Sequence, residues 1–139
     1  MSSIKDEIRI QAGASKVYEA LTTQAGYRGW WNAKAEVDGA AGGEAKLYFV
    51  KDGQPVNMRY SIDELKPNES VRWTCVAHDM PSWVGTSLNW QIKEAEGSAL
   101  VSFEHAGWKG APPEPVAQGW KHFLGSLKAY VETGTGQPW

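Results

Sequence analysis

The sequence predicts an α+β domain in which a long C-terminal helix lies across a curved antiparallel sheet of about six to seven strands, with two short helices after the first strand. Three observations predict it. Between Ala35 and His105, apolar residues alternate with polar ones in segments separated by turn residues, the period-2 pattern of strands with one buried face. From Val116 to Val131, apolar residues recur at spacings of three and four, as on a helix with a single apolar stripe. A sheet buried on one side needs a cover, and this last segment is long enough to supply it.

In chain order, "IKDEIRI" places Ile4, Ile8 and Ile10 on one face with charged residues between them, which is strand one. After Gly13, Ser15 can cap a short helix whose Val17, Ala20 and Leu21 share a side. A second short helix follows a break near Thr23 and sets Tyr27, Trp30 and Trp31 at i, i+3 and i+4. Gly26 and Gly29 loosen it, each at about 1 kcal/mol relative to alanine. "DGAAGG", "KDG", "KPNE" and "EAEG" punctuate the strand region as turns.

Between those turns Met58, Tyr60 and Ile62 share a face, as do Val71, Trp73, Cys75 and Ala77, then Leu88, Trp90 and Ile92, and finally Val101, Phe103 and His105. Arg59, Arg72 and Glu104 take the outward phase. The final helix starts among the prolines of "PEPVAQGWKHFLGSLKAYVETG". Its stripe carries Val116, Trp120, Phe123, Leu124, Leu127 and Val131, and Gly134 stops it. The tail "TGTGQPW" reads as loosely held, although Trp139 has the bulk to pack.

Composition narrows the function classes. With 139 residues and 42% hydrophobic content, the chain is expected to form one domain over residues 1–139. Fourteen basic and sixteen acidic residues are interspersed and sum to -2, so no stripe for a nucleic acid is visible. Nor is there a leader-like apolar segment or a run of about eighteen apolar residues, which argues against membrane insertion and for a soluble cytoplasmic protein. Cys75 is the only cysteine, which excludes an internal disulfide and a zinc site of thiolate pairs. His78, His105 and His122 lack the spacing of a metal motif, and no cofactor signature is present. "DGAAGG" precedes a strand and has no P-loop lysine, and no G-x-S-x-G elbow occurs.

The order of elements, "GWW" near residue 30 and "GWKHFLGSLKAYVETG" at the end resemble the START-like helix-grip (SRPBCC) superfamily. More narrowly they resemble the family named after the C-terminal domain of the activator of Hsp90 ATPase, here as a single-domain, bacterial-type member. The pieces that carry the resemblance are Gly119 and Trp120 with Leu124, Leu127 and Tyr130 behind them, "VDGAAGG" at Val37 to Gly43, and "ELKPNESVRWTC" at Glu64 to Cys75. They are signatures of a fold and not of a reaction. The resemblance implies a cavity between sheet and long helix, closed at one end by loops and short helices, which superfamily members use for mostly apolar molecules. An Hsp90-type chaperone is not the expected partner, because the chain has no room for the separate N-terminal domain of the eukaryotic namesake. Self-association into a homodimer stays open.

The ligand-binding candidates are the large side chains facing the covered side of the sheet: Tyr60, Trp73, Trp90, Phe103 and His105 from strands, Trp120, Phe123 and Leu127 from the final helix, and Trp31 from the second short helix. Each ring can serve as core, since aromatic side chains bury about 150–250 Å². Together they also suit the wall of a small-molecule pocket. Residues adjacent on a helix point about 100° apart, so Trp31 is expected to face the cavity and Trp30 to pack beneath it. No catalytic signature is present, and His105 and Tyr60 are the two side chains to consider as acid or base. The leading reading is binding of a small, largely apolar ligand. A cyclase- or aromatase-like enzyme using the same cavity and a protein-interaction module are the alternatives.

Overall fold

The computed structural model describes residues 2–139. The elements are β1 (Ser2–Ile10), α1 (Ala14–Ala20), α2 (Gln24–Trp30), β2 (Glu36–Val37), β3 (Glu44–Lys51), β4 (Gln54–Lys66), β5 (Ser70–His78), β6 (Ser87–Ala95), β7 (Ser98–Trp108) and α3 (Glu114–Thr133). A single 3-10 turn, Pro81–Trp83, lies between β5 and β6. The strands make one seven-stranded sheet in the order β1-β7-β6-β5-β4-β3-β2, and every pairing is antiparallel. The sheet is thus a meander from β2 to β7 with β1 returning to close the far edge, and α3 covers its inner face.

Alternation along the strands sorts the side chains as expected except at Ala77, which a register shift beside Val76 pairs with the outward Arg59, so that His78 and not Ala77 takes the inner face opposite Met58. Met58, Tyr60 and Ile62, then Val71, Trp73 and Cys75, then Leu88, Trp90 and Ile92 are buried, while Arg59 and Arg72 are exposed. Tight turns set the register. Asp52 and Gly53 between β3 and β4, and Glu96 and Gly97 between β6 and β7, take positive φ, the conformation that two-residue hairpins require. On α3 the buried stripe comprises Trp120, Phe123, Leu124, Leu127 and Val131, with Ser126 beside it. Gly134 ends the helix at φ 88° and donates its N–H to Tyr130 O.

Two local expectations change. Ser15 does not cap α1: Gly13 is the N-cap and makes no side-chain bond. Glu94 at the end of β6 replaces it, its carboxylate accepting the Ala14 N–H at 2.7 Å. A negative group at a helix N-terminus satisfies one orphan donor and suits the helix dipole, and here it comes from a distant strand. The tail after α3 is likewise tied down. Trp139 donates its N–H to Trp31 O at 2.9 Å and accepts from Ala33 N–H at 2.8 Å, while Gln137 N–H reaches Ser126 Oγ at 2.6 Å.

Asn32 organises this junction from a fully buried position. Its amide donates to Tyr48 O at 2.7 Å and Trp139 O at 2.8 Å, and its carbonyl accepts from Tyr48 N–H at 3.1 Å. Two glycines make the approach possible. A Cβ on Gly29 would lie 2.2 Å from the Tyr130 ring, and one on Gly136 would lie 2.5 Å from Gly29 O. Gly29 thus lets α2 sit directly against α3.

Candidate functional site

An apolar cavity of about 130 Å³ lies under the first half of α3. Val116, Gly119, Trp120 and Phe123 of α3 form its roof, with Pro115 beside them, and Phe49, Val56 and Met58 of β3 and β4 form its floor. The end of β5 and the 3-10 turn close one side with His78, Met80 and Trp83; Trp31 and Trp139 close the other. Lys51 stands at the edge and is exposed. Three larger hollows, of about 460, 360 and 390 Å³, lie elsewhere and are lined mainly by polar and charged side chains. The cavity under α3 is the one with aromatic walls.

Of the residues chosen from sequence, the structure places Trp31, Trp120 and Phe123 on the cavity wall. Tyr60, Trp73, Trp90, Phe103, His105 and Leu127 lie in the core outside that wall. They are held there by one another. The Trp90 and Phe103 ring centroids are 4.4 Å apart, Phe103 and Trp120 4.3 Å, and Tyr60 and Trp73 5.6 Å. Interdigitation of these rings fills most of the space between sheet and helix and leaves the gap at one end.

Trp31 sits at the hub of this packing, within ring contact of Tyr27, Phe49, Tyr60, Trp73, Trp120 and Phe123. Trp30 is fully buried beneath it and donates its indole N–H to Ala20 O at 2.8 Å. Their two rings are nearly parallel, at 13°, with centroids 5.7 Å apart.

His105 is fully buried in a closed hydrogen-bond chain. Trp120 donates its indole N–H to His105 Nδ1 at 3.0 Å, which leaves the ring proton on Nε2. That N–H donates to Thr86 Oγ1 at 2.9 Å, and the threonine hydroxyl donates to Trp83 O at 2.6 Å. Both ring nitrogens are therefore occupied. Loss of hydration on burial, with a smaller contribution from His78, lowers the His105 pKa to about 3, so the ring is neutral across the physiological range. It joins α3 to β7 and to the 3-10 turn as a positioning group.

Tyr60 gives its hydroxyl to Met58 Sδ at 3.3 Å, and burial raises its pKa well above the ordinary phenol value. Burial also pushes the Cys75 thiol up to about 11, against a smaller opposing effect of its hydrogen bond to Ala77, so it remains protonated. His122 is half-buried and bonds Gln137 O at 3.1 Å. Among the described residues, no group of three or more His, Cys, Asp or Glu side chains could hold a metal ion, and no helix is long and apolar enough to cross a membrane.

Wall residues that were not among the ligand-binding candidates include Phe49, Val56, Met58, His78, Met80, Trp83 and Val116. Phe49, Val56 and Met58 sit on strands where period-2 patterning marks them as inward-facing, but such a pattern does not say which inward residues border a gap. Met80 and Trp83 lie in "AHDMPSW", a stretch with neither strand nor helix periodicity. Pro81 at the start of its 3-10 turn was the local signal that this stretch is ordered.

A family model described as "Activator of Hsp90 ATPase homolog 1-like protein" matches residues 11–132. No match is found among curated proteins. Among solved structures, the Aha1 dimer of Colwellia psychrerythraea is 30% identical with a TM-score of 0.81, the match covering 98% of this chain and 100% of that one. Protein CV1439 of Chromobacterium violaceum is 23% identical with a TM-score of 0.79, over 95% of this chain and 99% of that one. CalU16 of Micromonospora echinospora is 20% identical with a TM-score of 0.77, over 97% and 76%. The last two show a shared fold alone. The family match over most of the chain, the Colwellia relative and the grip of a seven-stranded sheet on α3 lead to one conclusion: the chain belongs to the activator of Hsp90 ATPase homolog 1-like family and has the helix-grip fold.

Proposed function

We propose that this protein binds a small, largely apolar molecule in the cavity under α3. The observation that carries the reading is the cavity itself, an apolar gap of about 130 Å³ walled by Trp31, Trp120, Phe123 and Trp83 in a core that is otherwise filled. Pockets for drug-sized ligands run from about 300 to 1,000 Å³. An apolar cavity of about 150 Å³ accepts benzene. The ligand that fits the present shape is therefore of single-ring size. A cyclase-like reaction would require an acid or base at the ligand, and neither His105 nor Tyr60 lines the cavity.

The test uses an added side chain. Gly119 borders the cavity, and a Cβ built on it meets nothing within 4 Å. Gly119→Leu is expected to retain or raise stability, since glycine within a helix costs about 1 kcal/mol relative to ordinary helix formers. It is also expected to weaken binding of toluene and p-cresol, followed by tryptophan emission, at least tenfold. If wild-type emission and melting temperature respond to neither compound, or if Gly119→Leu binds both unchanged, the cavity is not the binding site.

The Colwellia relative is a dimer, and we propose the same assembly for this chain. Sedimentation equilibrium at micromolar concentration is expected to give twice the chain mass of 15.3 kDa; a single-chain mass would remove the proposal.

A further inference from the structure

The walls of the cavity differ in what stands behind them. Trp120 is backed by Phe103, with ring centroids 4.3 Å apart, and by Trp31 at 5.1 Å. Trp83 rests on His105 at 4.9 Å and on Trp108 at 5.7 Å. All six of these side chains are buried, and close-packed rings leave no space into which a wall could retreat. Three wall residues are exposed instead: Lys51, Pro115 and Trp139. Of these, Trp139 packs its ring on both floor and roof, 6.3 Å from Phe49 and 5.2 Å from Phe123. With 56% of the residue exposed, the indole has wall rings on one side and solvent on the other.

Trp139 is anchored through its backbone. Its N–H donates to Trp31 O at 2.9 Å, and its carbonyl accepts from Ala33 N–H and from the Asn32 amide, both at 2.8 Å. Two residues earlier, Gln137 N–H donates to Ser126 Oγ at 2.6 Å and Gln137 O lies 3.1 Å from His122 Nε2. None of these bonds uses the indole, so a shorter side chain at this position leaves the tail in place. The main chain thus holds the ring across the end of the cavity at a spacing fixed by Trp31, itself a wall residue. Pushing the ring aside would forfeit its contacts with Phe49 and Phe123, which corresponds to a loss of about tenfold in affinity for any ligand that requires it.

Resting on the proposed binding function, we infer that Trp139 sets the size limit of the ligand: its indole is the outer wall that confines the cavity to a single apolar ring and excludes fused two-ring molecules. The buried walls hold the fold together, and this exposed one determines what fits.

Toluene and naphthalene test this, because both are apolar and aromatic and differ by one fused ring. A pocket long enough for naphthalene would prefer it, since it buries the larger apolar surface. In the wild-type chain toluene is expected to bind more tightly than naphthalene by calorimetry. In Trp139→Ala the ratio of naphthalene to toluene affinity is expected to rise at least about tenfold. The same variant should melt within about 5 °C of the wild type, because a ring more than half exposed contributes little burial. Trp139→Phe, which retains part of the wall, should move the ratio in the same direction by about threefold and serves if the alanine variant does not fold. Lys51→Ala, at the same exposed edge, should leave the ratio unchanged. A wild-type preference for naphthalene, a ratio unmoved in both Trp139 variants, or an equal rise in Lys51→Ala would overturn the inference while leaving the binding function standing. If neither compound binds the wild-type chain, the binding function fails and the inference with it.

Discussion

Replacing Trp30 by alanine is expected to cost about 3–5 kcal/mol of stability, the usual range for truncating a large buried aromatic. In a domain of this size that lowers the melting temperature by about 10–20 °C. The ring is fully buried, 5.2 Å from Tyr27, 5.7 Å from Trp31 and 5.7 Å edge-on from Trp90. Its indole N–H also satisfies Ala20 O at the end of α1, which the variant leaves without that donor. Trp30→Phe keeps most of the apolar area but loses the N–H and should cost less than half as much. Urea unfolding monitored by circular dichroism gives both numbers. A cost below about 1.5 kcal/mol for Trp30→Ala would mean that the α2 junction is not packed as described.

The protein is also expected to lose stability in mild acid, over a window set by His105. Burial lowers its pKa from 6.5 to about 3 in the folded chain, so below pH 6.5 the unfolded state binds the proton that the folded state refuses. Stability therefore falls as pH drops through 6.5 and continues to fall until about pH 3. Between about pH 6 and 4.5 the His105 share is about 2 kcal/mol. His78, lowered to about 4 chiefly by burial, adds a smaller loss of the same sign because its ring is only partly buried. The groups whose pKa is depressed on the acid side, Asp79 and Glu132, matter mainly below this window. A His105→Gln variant, which keeps a donor and an acceptor but does not titrate, should be less stable near neutral pH and lose less between pH 6 and 4.5. Parallel curves for the two proteins would show that His105 is free to take up a proton in the folded state.

How far the site could be read in advance depends on the range of the interactions involved. The inward assignments of Trp73, Trp90 and Phe103 hold in the folded chain because a strand alternates its side chains every two residues, whatever lies beyond it. The stripe of α3 and its stop at Gly134 hold for the same kind of reason. Ser15 was the natural cap by local rules, and a carboxylate eighty positions away took its place. The tail carried no periodicity, and its order comes from Asn32, Trp31 and Ser126, which only folding brings beside it.

The strands, most of their faces and the covering helix were thus legible along the chain, because backbone geometry imposes periods of two and 3.6 residues on any segment that buries one side; the order of the strands in the sheet was not. The cavity was not. Its place depends on how the rings of five strands and two helices interlock, and a gap of about 130 Å³ is the small residue of that packing. Trp83 and His78 became wall residues because the Met80–His78 hydrogen bond and the 3-10 turn stack their rings across the end of the sheet. His105 faces inward by its strand phase, yet Trp120 and Thr86 convert it from a candidate base into a bolt between helix and sheet. Periodicity chooses a side for each residue; only packing in three dimensions chooses its neighbours, and the neighbours decide where a gap is left.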